Sequence, residues 1–229
     1  MPNDAEIRKR IEAIDSEQYR MAFKYQYLIA GRISEVCGKY APKGNDAIAI
    51  DFDGELAVLF VVRTAKREGR LRPVALPLRV DYEPWADDIR EYFHYRRDDY
   101  PFKFADKWTT SVRYMQWEAE KAFADLEWPL VGYTIKKGDA KIKVPSRWKN
   151  VTSHVMRKRR TITLMLDYDF DHIDLSLYGG WTISQQSEGV PQALKNYLYM
   201  EPQSSSEPIK LLKKLAKRYF HKLCRPLPT

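Results

Sequence analysis

Residues 46–63, DAIAIDFDGELAVLFVVR, restrict the fold more than any other stretch. They divide into two apolar runs about Asp53-Gly54. An Asp-Gly pair between such runs is a strong hairpin signal, because a two-residue turn of this hand needs left-handed backbone at both positions. LRPVALP (71–77) reads as a third strand, reached through a tight turn at AKREGR. Elsewhere the apolar spacing is helical. Ile7, Ile11 and Ile14 define a first helix with Asn3 or Asp4 as its N-cap. Ser16 can cap a second through EQYRMAFKYQYLIA, ending at Gly31, and RISEVCG adds a short third closing on Gly38. Helical patterning returns over 83–95 and 107–126, and two more helices fall within 153–180. YTIKKGDAKIKV (133–144) fits a second short hairpin. The last segment aligns Ile209, Leu212, Leu215, Ala216, Tyr219 and Leu223 along one side of a basic amphipathic helix. The fold class expected is α+β, mainly helical, with a small three-stranded antiparallel sheet.

At 229 residues, 44% of them hydrophobic, the chain can fill a substantial core. No apolar run is long enough to span a membrane, and residues 1–20 are charged throughout, unlike a signal peptide. Cys37 and Cys224 have neither metal-ligand spacing nor the makings of a disulfide framework, so reduced thiols in a cytoplasmic protein are expected. There is no phosphate-cradling glycine loop.

Charge is more informative. Against 31 acidic residues stand 39 basic ones, a net charge of +8. Residues 136–160 concentrate ten cations (Lys136, Lys137, Lys141, Lys143, Arg147, Lys149, Arg157, Lys158, Arg159 and Arg160) against the single acid Asp139. Asp167, Asp169, Asp171 and Asp174 then reverse the sign. Two such blocks imply one surface turned toward an anion and one turned away.

Several short pieces bear on chemistry. GRISEV (31–36) offers Arg32 at a helix start, and RTAKREGRLRPVALP (63–77) offers Lys66 at a strand turn. SHVMR gives His154 and Arg157, GGWT gives Trp181, and KNYLYM gives Tyr197 and Tyr199. Each residue alone is ordinary; their order is not. The set resembles the catalytic domain of the tyrosine recombinase (integrase) family over about residues 6–200, with the Cre-like tryptophan where most relatives have a second histidine.

The resemblance implies that Arg32 and Arg157 clamp the scissile phosphate and that Lys66 protonates the leaving oxygen. His154 would be the first histidine of the site, Trp181 would stand at the second-histidine position, and Glu35 would buttress Arg32. Tyr197 would be the nucleophile, with Tyr199 as the alternative, because the loop TISQQSEGVPQAL is longer than the family pattern. Lys158 stands where many relatives have histidine. No cofactor or metal is implied.

The physical logic agrees. Phosphodiester transfer is chiefly positioning and charge stabilisation of non-bridging oxygens. Arginines donate paired hydrogen bonds to those oxygens and stay charged. A tyrosine ester conserves bond energy for rejoining. Tryptophan cannot shuttle a proton, so if His154 acts as a base it carries that traffic.

The expected partner is double-stranded DNA, with backbone contacts from Arg63, Arg67 and the 136–160 block. The expected organisation is a catalytic domain over 1–200 without the family's N-terminal core-binding domain, a linker over 201–208 and a helical tail over 209–229. That tail either docks on a neighbouring protomer, supporting assembly on DNA as a dimer or tetramer, or folds back on its own domain. A cytoplasmic, DNA-associated protein of prokaryotic or viral origin would follow. A tyrosine transposase, a type IB topoisomerase and a catalytically inactive DNA-binding remnant share the same residues.

Overall fold

The computed structural model describes residues 2–65, 70–97, 99–124, 133–137, 140–144, 154–180 and 207–227. Among these residues the chain is α+β and mainly helical, with eight helices and a three-stranded antiparallel sheet. In chain order come α1 (Asp4–Glu12), α2 (Glu17–Leu28), α3 (Ile33–Val36), a 3₁₀ turn (Gly44–Asp46), β1 (Ala47–Phe52), β2 (Glu55–Arg63) and β3 (Leu71–Pro77). They are followed by α4 (Pro84–His94), α5 (Trp108–Ala122), β4 (Tyr133–Lys137), β5 (Ala140–Val144), α6 (His154–Leu166), α7 (His172–Gly179) and α8 (Glu207–Leu223).

Local chemistry accounts for the boundaries. The Asn3 side chain accepts the Glu6 N–H at 2.8 Å and opens α1. Ser16 holds the N-cap position of α2 without a side-chain cap bond. Phe52 pairs with Glu55, so the β1–β2 loop is two residues, and Asp53 and Gly54 take φ of 56° and 96° as the Asp-Gly signal requires.

The middle strand β2 is buried without interruption from Ala57 to Val62, so the sheet must be covered on both faces. Phe60 faces α2 and α4, where it meets Tyr25 at 5.3 Å and Phe93 at 5.6 Å between ring centroids. Burying a phenylalanine of this kind is worth about 2–3 kcal/mol. The other face receives α8. Phe220 packs on Phe52 at 4.5 Å, and the Tyr219 hydroxyl donates to Pro73 O at 3.1 Å while accepting the Ala75 N–H at 3.2 Å.

The apolar stripe of α8 is therefore buried on its own chain, with Leu212, Ala216, Tyr219, Phe220 and Leu223 all inside. Of the two expectations for the tail, the fold-back is the one observed. Its basic side is latched by acids: Arg218 and Lys222 reach Asp174 at 2.8 and 2.6 Å, and Arg225 reaches Asp169 at 3.1 Å. The acidic block that reverses the sequence charge is thus partly neutralised by the C-terminal helix. No helix among the described residues is long and apolar enough to cross a membrane.

Candidate functional site

Two helix ends meet beside the sheet. A helix leaves its last carbonyls without backbone partners and carries negative partial charge there. Just past the end of α2, Ala30 adopts φ of 46°, a left-handed conformation that costs an alanine roughly 1 kcal/mol, and the helix stops. The freed carbonyls find partners far along the sequence. Leu28 O accepts from the Tyr178 hydroxyl, Ile29 O from Arg72 Nη2 at 3.0 Å, and Ala30 O from Arg157 Nη1 at 2.6 Å. The end of α7 is treated alike: Tyr178 O accepts from Arg72 Nη1, and Gly179 O from Arg157 Nη2 at 2.9 Å. Two buried guanidiniums therefore bridge two helix C-termini. Gly180 caps α7 at φ of 67°, and a Cβ there would stand 2.8 Å from both Arg72 Cδ and Thr64 Cγ2. Glycine is required on both counts.

The centre of this arrangement is Glu35, fully buried at the start of α3. Its carboxylate accepts the backbone N–H groups of Arg32 at 3.1 Å and Ala65 at 3.0 Å. It also pairs with Arg32 Nη1 at 3.0 Å and Arg72 Nη2 at 3.2 Å, and lies 3.9 Å from Arg157 Nη1. Burial pushes this carboxyl toward its neutral form, but Arg72, the two N–H groups and Arg157 outweigh it and hold the pKa below the usual range. Three guanidiniums face one carboxylate, and each helix terminus supplies about half a negative charge. Among the described groups the sum is about one positive charge. Arg32 is the open member, its side chain 26% exposed against 3% for Arg72 and Arg157.

His154 begins α6 three residues before Arg157 and is open to solvent on one side. Partial withdrawal from water, then Arg157, Lys158 and Arg32, hold its imidazole below the usual histidine range, so it is neutral at pH 7. The unfolded chain takes up a proton near pH 6.5, where the folded one still refuses it. The penalty is therefore absent above that pH and grows as pH falls toward the depressed folded value. Thermal unfolding between pH 7.5 and 5.5 should show a loss of stability that is smaller in His154→Gln. An anion seated on the cluster should oppose the shift.

The structure thus brings Arg32, Glu35, His154 and Arg157 together from α3 and α6. Lys66, Arg67, Arg147, Lys149, Trp181, Tyr197 and Tyr199 lie outside the described residues. Their described neighbours are informative: Ala65, next to Lys66, donates to Glu35, and Gly180, next to Trp181, packs on Arg72. Lys136, Lys137, Lys141 and Lys143 fall in the β4–β5 hairpin, where the register pairs Lys136 with Lys141 and Thr134 with Lys143. Lys158 is exposed and Arg159 half-buried.

Two of the expected DNA contacts meet internal acids, and for Arg160 the expectation is corrected. Arg63 forks onto Asp46, with Nη2 at 3.0 Å, so its charge is met internally. Arg160 is 1% exposed and faces Glu83 at 3.5 Å with Tyr27 and Tyr168 around it, which makes it a core cation. Arg160→Ala should cost about 2–3 kcal/mol in urea unfolding, chiefly through the packing of a fully buried side chain, since Glu83 keeps its fork from Arg8, while leaving the DNA affinity of the folded protein unchanged.

Arg72 and Tyr178 were missed. The one usable signal was a cation in an apolar strand, opposite Val62 in the register, where an unpaired guanidinium has no place.

Among the described residues no three of His, Cys, Asp and Glu stand close enough to hold a metal ion. Fold and site together define an α+β protein with a carboxylate-centred arginine cluster. No protein-family model, curated protein or solved structure matches the chain.

Proposed function

We propose that the chain is a site-specific DNA recombinase of the tyrosine recombinase type, cleaving and rejoining DNA through a covalent 3′-phosphotyrosine link. The observation that carries this reading is the meeting of Arg32, Glu35 and Arg157, three residues named by motif order alone, in one positively charged cluster with His154 beside it. Arg32 is the open guanidinium that meets the scissile phosphate; Arg157, expected to share that clamp, is 3% exposed with its two terminal nitrogens on Ala30 O and Gly179 O, and stands behind it. The phenol oxygen of Tyr197, or of Tyr199, attacks phosphorus and the bond to the 5′ oxygen breaks. That oxygen takes a proton from Lys66, and the phenol proton passes to neutral His154. Rejoining reverses both transfers, and the phosphodiester bond energy is kept throughout. Lys158 and the 133–144 hairpin are the candidates for DNA backbone contacts, whose strength falls steeply with salt.

A pool of nicked duplexes randomised across the centre tests the proposal, because loss of the short strand beyond the nick traps the ester. The expected result is a protein–DNA adduct that survives denaturation and maps to Tyr197 or Tyr199 by peptide mass. DNA binding with no adduct would leave only a non-catalytic binding protein. Relaxation of arbitrary supercoiled plasmid by monomers would indicate a topoisomerase instead.

A further inference from the structure

We infer that Arg72 is a positioning residue, which sets the charge and geometry of Glu35 and through it the phosphate-facing Arg32. This rests on the function proposed above. Arg72 stands at the start of β3 and is 3% exposed, so it touches no DNA itself. Its guanidinium donates to three separate elements: Nη1 to Tyr178 O at the end of α7, and Nη2 to Ile29 O beyond α2 and to Glu35 in α3. Glu35 in turn fixes Arg32 through both its side chain and its backbone N–H. The aliphatic stem of Arg72 is also the floor on which Gly180 lies, one residue before Trp181.

A planar fork can span these acceptors at once; a lysine ammonium on a flexible stem cannot. The position is also electrostatically demanding. Arg72 is the strongest of the neighbours that keep Glu35 ionised and is also the neighbour that most disfavours the charge on Arg157. It therefore stabilises the carboxylate that holds Arg32.

The test is a cycle of Arg72→Lys, Arg72→Met, Glu35→Gln and the double variant Arg72→Met/Glu35→Gln. Cleavage of saturating nicked duplex should slow about 100-fold in Arg72→Lys, the size of effect expected from a small misplacement of a clamping group. Affinity for an uncleavable duplex should stay within about threefold, since no interaction made in the bound ground state is removed. In Arg72→Met the acid limb of cleavage should move to higher pH, because Glu35 then holds its proton more tightly. The double variant should lose no more rate than the worse single variant. Cleavage at the parent rate in Arg72→Lys, an unmoved acid limb, or additive losses would each overturn the inference.

If Arg72→Met does not fold, recovery of folding in the double variant supports a role through Glu35, and failure of both overturns it. If the parent protein forms no adduct, the recombinase reading falls. The inference is then judged by stability alone: the acid unfolding transition of Arg72→Lys must begin at higher pH than that of the parent.

Discussion

Glu35→Ala should be among the most destabilising single substitutions in the chain, costing about 3–5 kcal/mol in denaturant unfolding. The expected loss has two parts. Arg32, Arg72 and Arg157 lose the carboxylate at 3.0, 3.2 and 3.9 Å that offsets their charge. The N–H groups of Arg32 and Ala65 lose a buried acceptor, each worth about 1–3 kcal/mol when left unpaired. Glu35→Gln keeps an acceptor and the shape, so it should cost distinctly less. The diagnostic feature is rescue: sulfate or phosphate, by seating in the cluster, should recover more stability in Glu35→Ala than in the parent, by mass action on the folded state. Equal stabilisation of both proteins by sulfate would mean that the cluster binds no anion, and would undermine the functional reading with it.

Arg32→Ala should behave in the opposite way. Its side chain is 26% exposed, and its hydrogen-bonded side-chain partner is Glu35, which keeps Arg72 and two N–H groups. Stability should change by less than about 1 kcal/mol. Cleavage of nicked duplex should fall about 10²–10³-fold, the usual cost of removing one donor aimed at developing negative charge. Near-normal cleavage in Arg32→Ala would remove the residue from the chemistry. A large loss of stability would make it a structural residue like Arg160. The two variants therefore separate the charge that holds the site together from the charge that meets the substrate.

Much of the architecture was legible beforehand because it is local. The Asp-Gly turn, the strand at 71–77, the Asn3 cap and the helices around 84–94, 108–122 and 207–223 each depend on residues within a few positions of one another. The order of Arg32, Glu35, His154 and Arg157 could also be read in advance. What could not be read was the fate of each cation. Arg63 finds Asp46 and Arg160 finds Glu83, although nothing in the basic runs around them distinguishes either from a surface residue. The tail offered two equally sound dockings, and only the aromatic surface of Phe52 and the backbone of β3 decide for the intramolecular one.

Arg157 and Arg160 give the clearest case. They lie three residues apart on α6, both buried, in a run of four cations. One reaches the terminal carbonyls of α2 and α7 and the edge of Glu35; the other reaches Glu83 among tyrosine rings. Periodicity and turn residues determined that a helix would stand here and that its charge would be positive. Which acceptors wait around that helix depends on chain segments 22 to 127 residues away, and the free energy of a buried charge depends almost entirely on its acceptors.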